Sequence, residues 1–288
     1  MNGTVSRAEV PSLPDPDVRR VTDGLWVWDE SRVDPEVGGN KVRKLQHLLP
    51  EATAAGATAL ATAGGTGSNH VLATAVLGAR VGLPVHAVLF PQPLRPDVRA
   101  TRARLGEVCA SVREVSTPLG AVWTSRRVPG AWWIPPGGTS PTGSLGWRDA
   151  AAGVARRVLR GELPRPDRVV VAVGTGGTAA GLLAGFAVAG LATEVVGARV
   201  VARWATGRRR ITALARALAP GVRLPPLRVV DAVGRGYGEV DDAALAAFAH
   251  GRAAGLSLEL TYTAKAYDVA LAARRDGGCT WFVATAGR

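Results

Sequence analysis

Lysine is scarce in this chain, and its placement suggests chemistry. Of 35 lysines and arginines only three are lysine: Lys41, Lys44 and Lys265. Two of them share the run Gly38-Gly39-Asn40-Lys41-Val42-Arg43-Lys44-Leu45. A glycine pair before a helix permits close backbone approach, and a lysine in the first helical turn meets the positive end of the helix dipole. Arg43 and Lys44 add like charge. Both effects favour the neutral amine, as would burial. A neutral amine is what Schiff-base chemistry requires. The same run also fits a solvated basic helix start, and local sequence alone does not choose.

Two glycine turns invite anions. Residues 168–185 read as an apolar strand, the turn Gly174-Thr175-Gly176-Gly177-Thr178, and an Ala-rich helix. Successive glycines let backbone N–H groups approach an anion, and the helix dipole adds to the attraction, so a phosphate is the natural guest. No Walker lysine follows, which disfavours a nucleoside triphosphate loop. Gly174-x-Gly176-x-x-Ala179 matches the loose dinucleotide fingerprint, but Glu194 precedes the next strand, whereas a ribose-binding acid should follow that strand's end. The second turn, Gly64-Gly65-Thr66-Gly67-Ser68-Asn69-His70, follows a strand and opens a helix. Its backbone donors, with Ser68 and Asn69, suit a carboxylate; a simple Ser or Asn helix cap is the alternative. His70 reads as a capping or packing histidine before a base. Tyrosine is as scarce as lysine. Tyr237 sits in Gly234-Arg235-Gly236-Tyr237-Gly238, where flanking glycines suggest presentation, and Tyr262 sits at a helix start in Leu260-Thr261-Tyr262-Thr263-Ala264-Lys265.

The elements that must position these residues alternate. Strands are expected at 25–28, 58–63, 85–90, 132–134, 168–173, 194–201, 227–230 and 280–284. Helices are expected at 41–55 (with Pro50 as a potential break), 69–81, 96–105, 145–159, 178–188, 209–218, 241–254 and 263–274. Strands of near-continuous apolar residues separated by helices indicate parallel sheets covered on both faces. Ligands of such sheets bind beyond the strands' carboxyl ends, where the unusual turns fall. The stretch 137–143 is another such turn, and 135–143 reads as a crossing between two sheets. No repeat of 20–50 residues is visible.

Composition sets the limits. With 288 residues, 47% apolar and 20% charged, the chain has enough core for about two domains, or one large α/β domain, and is not expected to be disordered. A formal charge of +12 suggests a polyanion partner. However, 32 of the 35 basic residues are arginines spread along the chain, which reads as compositional bias, so no nucleic-acid partner is expected. The run Arg208-Arg209-Arg210 reads as a solvated helix start. The uncharged stretch 169–193 is long enough to span a membrane. Its central glycine turn makes it a buried strand and helix instead. Cys109 and Cys279 lie far apart, arguing against a disulfide framework or a zinc site; no metal is expected. Residues 1–16 are polar, without an apolar signal core, and a cytoplasmic location is the default.

Taken together, the motifs resemble the fold-type II pyridoxal-phosphate enzymes related to tryptophan synthase β, in the branch of aminocyclopropane-carboxylate deaminase and D-cysteine desulfhydrase. The resemblance rests on six elements in order: 38–45, 68–70, Gly137-Gly138-Thr139-Ser140-Pro141-Thr142-Gly143, 174–178, Gly236-Tyr237-Gly238, and Thr261-Tyr262-Thr263-Ala264-Lys265. It implies an α/β fold of two open parallel-sheet domains with helices on both faces. The large domain would comprise 1–44 and 140–288, with a small domain, 45–139, inserted. Lys41 would carry pyridoxal 5'-phosphate as a Schiff base. Gly174, Thr175, Gly176, Gly177 and Thr178 would bind its phosphate, Asn69 its ring hydroxyl, and Thr263 would face its pyridine nitrogen. Ser68, Asn69 and His70 would hold the substrate carboxylate, and Tyr237 and Tyr262 would flank the substrate. Lys41, Ser68, Tyr237 and Tyr262 are thus the expected catalytic residues.

The implied activity is a lyase acting on a small amino acid, by β-elimination or deamination, in a homodimer. The deaminases carry Glu where Thr263 stands and the desulfhydrases Thr; a hydroxyl is the weaker partner for a pyridinium, which favours elimination or replacement at Cβ over cyclopropane opening. Alternatives on the same scaffold are a β-replacement synthase, an amino-acid racemase, or a module that keeps cofactor without catalysis. Several stretches depart from the family pattern. Trp26-Val27-Trp28-Asp29-Glu30 lacks the usual basic pair, Thr66-Gly67 and Leu72-Ala73 replace Val-Gln and Arg-Gln, and Ala284-Thr285-Ala286-Gly287 replaces His-Thr-Gly-Gly. The chain then ends at Arg288 without the family's tail. These changes fall on the expected substrate side more than the cofactor side.

Overall fold

The computed structural model describes residues 13–34 and 36–285. The expectations for residues 1–12 and 286–288, a polar start without a leader and an altered end, lie outside the described residues.

Two parallel sheets organise the chain. The first three elements are β1 (Asp17–Thr22), β2 (Leu25–Asp29) and α1 (Gly39–Ala54). Then come β3 (Leu60–Gly65), α2 (Asn69–Arg80), β4 (Val85–Phe90), α3 (Pro96–Val108), β5 (Ser111–Glu114), α4 (Pro118–Ser125) and β6 (Trp132–Trp133). A short 3-10 turn, Pro136–Gly138, leads into α5 (Pro141–Leu159), β7 (Arg168–Val173), α6 (Gly177–Val188), β8 (Glu194–Arg199) and α7 (Arg208–Leu218). The chain continues through β9 (Leu227–Asp231), α8 (Asp242–Ala253), α9 (Thr263–Arg275) and β10 (Thr280–Ala284). The six-stranded sheet has the order β1-β2-β10-β7-β8-β9 and the four-stranded sheet β5-β4-β3-β6. Every pairing is parallel except β1 with β2 at one edge.

Strand alternation explains how both faces of the larger sheet are covered. Val169, Val171 and Val173 of β7 join Trp281 and Val283 of β10 in an apolar cluster with Trp147, Ala180 and Leu183 of α5 and α6. The intervening Val170, Phe282 and Ala284 face the other way, onto Ala266, Tyr267 and Ala270 of α9. A third cluster joins α1 to the four-stranded sheet through Val42, Leu45, Leu48, Leu60, Ala73 and Ile134.

The expected elements form, with instructive differences. Helix α1 runs through Pro50 unbroken. Pro50 is exposed, and the burial of Leu48, Leu49 and Ala52 around it outweighs one lost helical bond. Helix α5 starts at Pro141 rather than 145, because the Ser140 hydroxyl accepts from the Gly143 N–H at 2.9 Å and proline suits a first helical turn. Strand β1, strand β5 and helix α4 carry no clean periodicity; β1 and β5 are exposed or half-buried throughout. The stretch 169–193 resolves into β7, a turn and α6, and Arg208, Arg209 and Arg210 are exposed at the start of α7.

Candidate active site

Lys41 is positioned by the start of α1, which is anchored at the carboxyl ends of β2 and β10. The Gly39 N–H donates to the Glu30 carbonyl at 2.7 Å and the Asn40 N–H to the Thr285 carbonyl at 2.8 Å. Below this start lies a buried network. Arg43 Nε donates to Glu30 Oε2 and Trp28 Nε1 to Glu30 Oε1, each at 2.6 Å. Trp147 Nε1 donates to the Asn40 carbonyl at 3.2 Å, and its ring lies 5.7 Å from that of Trp28. The stretch that departs from the family pattern thus holds the lysine helix from beneath through Glu30.

Lys41 Nζ donates to Asn40 Oδ1 at 3.1 Å. Burial lowers its pKa from 10.5 to about 8, partly opposed by the Glu259 carboxylate. Lys44, one turn further along α1, is held well below its ordinary value by burial and by the charge of Lys41. Its Nζ donates to the Gly137 carbonyl at 2.9 Å and approaches Thr139 Oγ1 at 3.5 Å. Among the described residues neither ammonium forms an ion pair with a carboxylate. Two desolvated amines side by side call for an anion between the protein walls.

The turn 174–178 supplies one such wall. Gly176 caps α6 in a left-handed conformation, φ 91°, and no side chain caps the helix, so first-turn N–H groups stay free for a ligand. A Cβ on Gly177 would come within 2.7 Å of Thr139 Oγ1 and 3.0 Å of both Lys44 Nζ and Ser144 Oγ. Ser144 Oγ is buried without a hydrogen-bond partner. Thr175, on the exposed side, shares a 2.5 Å hydrogen bond with Thr139. The turn, Lys44, Thr139 and Ser144 therefore line one small polar space. Sequence reasoning missed Lys44 and Ser144; the signal for Lys44 was its i+3 spacing from Lys41, which puts both on one helix face.

The second turn behaves partly as a cap. Ser68 Oγ accepts from the Val71 N–H at 3.3 Å at the start of α2, while Asn69 is half-buried beside it. His70 turns away into the four-stranded sheet. Its Nε2 shares a 3.0 Å hydrogen bond with Thr62 Oγ1, which also lies 2.9 Å from the Ile134 carbonyl. Burial, with the Lys41 and Lys44 charges adding to it, keeps His70 neutral. Only its backbone faces the turn, as its reading as a packing histidine anticipates.

Tyr237 and Tyr262 come together, their hydroxyls 2.8 Å apart and their rings edge to face. Burial raises the pKa of both, so both stay protonated; one proton makes the mutual bond and the other remains to be donated. A Cβ on Gly174 would lie 3.1 Å from the Tyr262 ring, and one on Gly65 would lie 3.2 Å from that of Tyr237. The pair therefore spans from the 174–178 turn to the Ser68 turn. Lys265 pins the Tyr237 loop by donating to the Val233 carbonyl at 2.8 Å. Thr263 is fully buried, and its hydroxyl is engaged by the Glu259 backbone, accepting from its N–H at 2.6 Å and donating to its carbonyl at 3.1 Å. Glu259, also missed in the sequence, accepts from the N–H groups of Thr261, Tyr262 and Thr263 at 2.7–2.8 Å. Burial raises its own pKa.

A family model for pyridoxal-phosphate dependent enzymes matches residues 11–280. The chain belongs to this family. It is 34% identical over 284 residues to a nocardicin C-9' epimerase of Nocardia uniformis subsp. tsuyamanensis, covering 90% of this chain and 86% of that one. It is 30% identical over 275 residues to a D-cysteine desulfhydrase of Serratia proteamaculans, covering 87% and 82%. The crystal structure of an ACC deaminase homologue superposes with a TM-score of 0.82 at 24% identity, over 97% of this chain and 90% of the other. The fold is thus the tryptophan synthase β-like one, and pyridoxal phosphate is the family's cofactor. The residues present fit that cofactor: an uncapped helix start, a buried unpartnered hydroxyl on Ser144 and a desolvated lysine pair are what a phosphate with a neighbouring aldehyde needs. No described helix is long and apolar enough to cross a membrane.

Proposed function

We propose that this pyridoxal-phosphate enzyme is a lyase that removes a leaving group from Cβ of a small amino acid and releases a keto acid and ammonia. The observation that carries this reading is the desolvated Lys41 amine, with the Lys44 amine in electrostatic reach and Glu259, whose charge also bears on the tyrosine pair, as its neighbouring carboxylate. Lys41 would hold the cofactor through its amine and, when free, would take the Cα proton. The cofactor, when bound, supplies the electron sink. Lys44, Thr139, Ser144 and the N–H groups of 174–178 would hold its phosphate. Asn69 would bind its ring hydroxyl, and Thr263, whose hydroxyl proton goes to the Glu259 carbonyl, would accept from a protonated pyridine nitrogen. Ser68 and the N–H groups at the start of α2, including those of Asn69 and His70, hold the substrate carboxylate. The Tyr237–Tyr262 pair excludes water from the far side and can donate one proton to a departing group.

In the same reading the two sheets mark two domains, 1–44 with 140–288 and 45–139, with the site between them, in a cytoplasmic homodimer. A second reading is racemisation at Cα, favoured by the relative whose name is an epimerase. It shares the first proton transfer with the lyase and differs in the second, which returns a proton to Cα.

The test has two stages. Borohydride reduction of the protein with pyridoxal phosphate should fix the added mass on Lys41; fixation on Lys265, or none, refutes the site. D- and L-amino acids are then supplied in heavy water. Keto acid and ammonia support the lyase, an intact amino acid carrying α-deuterium supports the racemase, and a cofactor absorption that no amino acid perturbs refutes both.

A further inference from the structure

Arg95 precedes α3, in the loop that leaves β4 of the four-stranded sheet. Its guanidinium crosses to the other sheet's loops. Nη1 donates to the Gly238 carbonyl, and Nη2 donates to Thr261 Oγ1 at 3.0 Å. Gly238 follows Tyr237, and Thr261 precedes Tyr262. One planar group therefore grips the residue next to each tyrosine. The fork is aimed by Asp97, which accepts from Nε at 3.2 Å and from Nη2 at 3.0 Å. The side chain is only 18% exposed.

Backbone packing supports the same junction independently. Gly238 has φ 79°, and a Cβ there would come within 3.1 Å of Pro93 and 3.6 Å of Gln92, so the loop before Arg95 sits directly on the loop of Tyr237. The Phe90 ring at the end of β4 lies 5.9 Å from that of Tyr237. The Thr261 N–H is already tied to Glu259. No other described arginine or lysine bridges the two sheets' loops at the tyrosine pair.

We propose that Arg95 is the positioning residue that locks the Tyr237–Tyr262 pair against the Ser68–Asn69 turn, setting the grip on substrate but not on cofactor. This rests on the proposed function only for what the pair grips. Lysine cannot replace it fully, because a single ammonium does not reproduce a rigid fork with several fixed donors.

The test compares wild type, Arg95→Ala, Arg95→Lys and the control Arg102→Ala, each with cofactor bound. Arg102 lies on α3, the helix that Arg95 precedes, and pairs with Glu114 at the surface. Amide hydrogen exchange of peptides covering 234–240 and 259–263 should quicken about tenfold in Arg95→Ala, with 174–178 unchanged. Arg95→Lys should fall between, and Arg102→Ala should match wild type. The cofactor dissociation constant should stay within about twofold, while the amino-acid concentration that half-saturates the change in cofactor absorption rises about tenfold and recovers with added methylguanidinium. Unchanged exchange in the two loops overturns the proposal, as does equal quickening at 174–178, which would mark general loosening. An Arg95→Ala protein that responds to amino acids as wild type does also overturns it. If amino acids leave even wild type unperturbed while the loops quicken as described, the enzymatic reading fails and the lock stands.

Discussion

Lys41 allows the most direct test, because its depressed pKa makes quantitative demands. At pH 7 a lysine of ordinary pKa 10.5 is neutral in about three molecules per ten thousand. A pKa of about 8 makes it neutral in about one in ten, some 300-fold more nucleophile at the same pH. Competitive labelling with a small acylating reagent, quantified by peptide mass analysis against a free amine in the same tube, reads this fraction. The labelling rate at Lys41 should rise tenfold per pH step and level off around pH 8. Glu259→Gln removes a carboxylate that favours the ammonium, so the midpoint should move further down. A wild-type midpoint near 10 would refute the claim that burial activates the amine, and an upward move in Glu259→Gln would refute the role of that charge.

The same shift has a thermodynamic consequence with a definite sign. The folded protein binds the Lys41 proton less tightly than the unfolded chain, so below pH 8 the buried charge costs the cofactor-free fold up to about 3 kcal/mol. That cost fades as pH rises from about 8 to 10.5. Lys41→Met should therefore gain stability over wild type at pH 7 and lose the advantage by about pH 11. Denaturant midpoints of the two proteins measure the difference, and a Lys41→Met protein no more stable at pH 7 would sink the argument.

Two further outcomes follow from the surrounding geometry. Arg43→Met strands the Glu30 carboxylate in the core with Trp28 as its remaining side-chain donor, which should cost about 3–5 kcal/mol in urea unfolding, while the double variant with Glu30→Gln should recover much of it. Gly177→Ala puts a methyl group into the polar space beside Thr139, Ser144 and Lys44, so pyridoxal-phosphate affinity by absorption titration should drop at least about tenfold with little change in unfolding midpoint; unaltered affinity would move the phosphate elsewhere.

The large elements were legible because their signals are local and strong. Apolar β-branched runs such as 168–173 and Ala-rich helices such as 178–188 can hardly do anything but pack, and the glycine turns between them need their own residues. Elements whose stability comes from neighbours were hidden: β1 exists because β2 offers it an edge, and β5 because β4 does. The site divides in the same way. Lys41, the turn 174–178 and the scarce tyrosines announce themselves by type and spacing. Glu259, Ser144 and Arg95 do not, since a carboxylate, a hydroxyl or one more arginine among 32 acquires meaning only from what surrounds it.

That division bears on which chemistry this chain performs. The residues expected to handle the cofactor agree with the family pattern, and the space they enclose suits a phosphate and an aldehyde. Where the sequence departs from the pattern, the protein supplies replacements of its own. Glu30 holds Arg43 and Trp28 beneath the lysine helix, and Gln92 lies against Gly65 and Gly67 with a buried, unpartnered Oε1. In the proposed reading the cofactor half serves abstraction of a Cα proton, a step common to elimination and racemisation. On that reading the choice between them falls to the tyrosine pair near the Ser68 turn, whose loops Arg95 contacts. A leaving group at Cβ needs a proton there, and a racemised carbon needs one at Cα from the face opposite Lys41. The hydroxyl of the pair that stays free to donate is the group whose aim decides, so Tyr237→Phe and Tyr262→Phe should alter product partition more than they alter the first proton transfer.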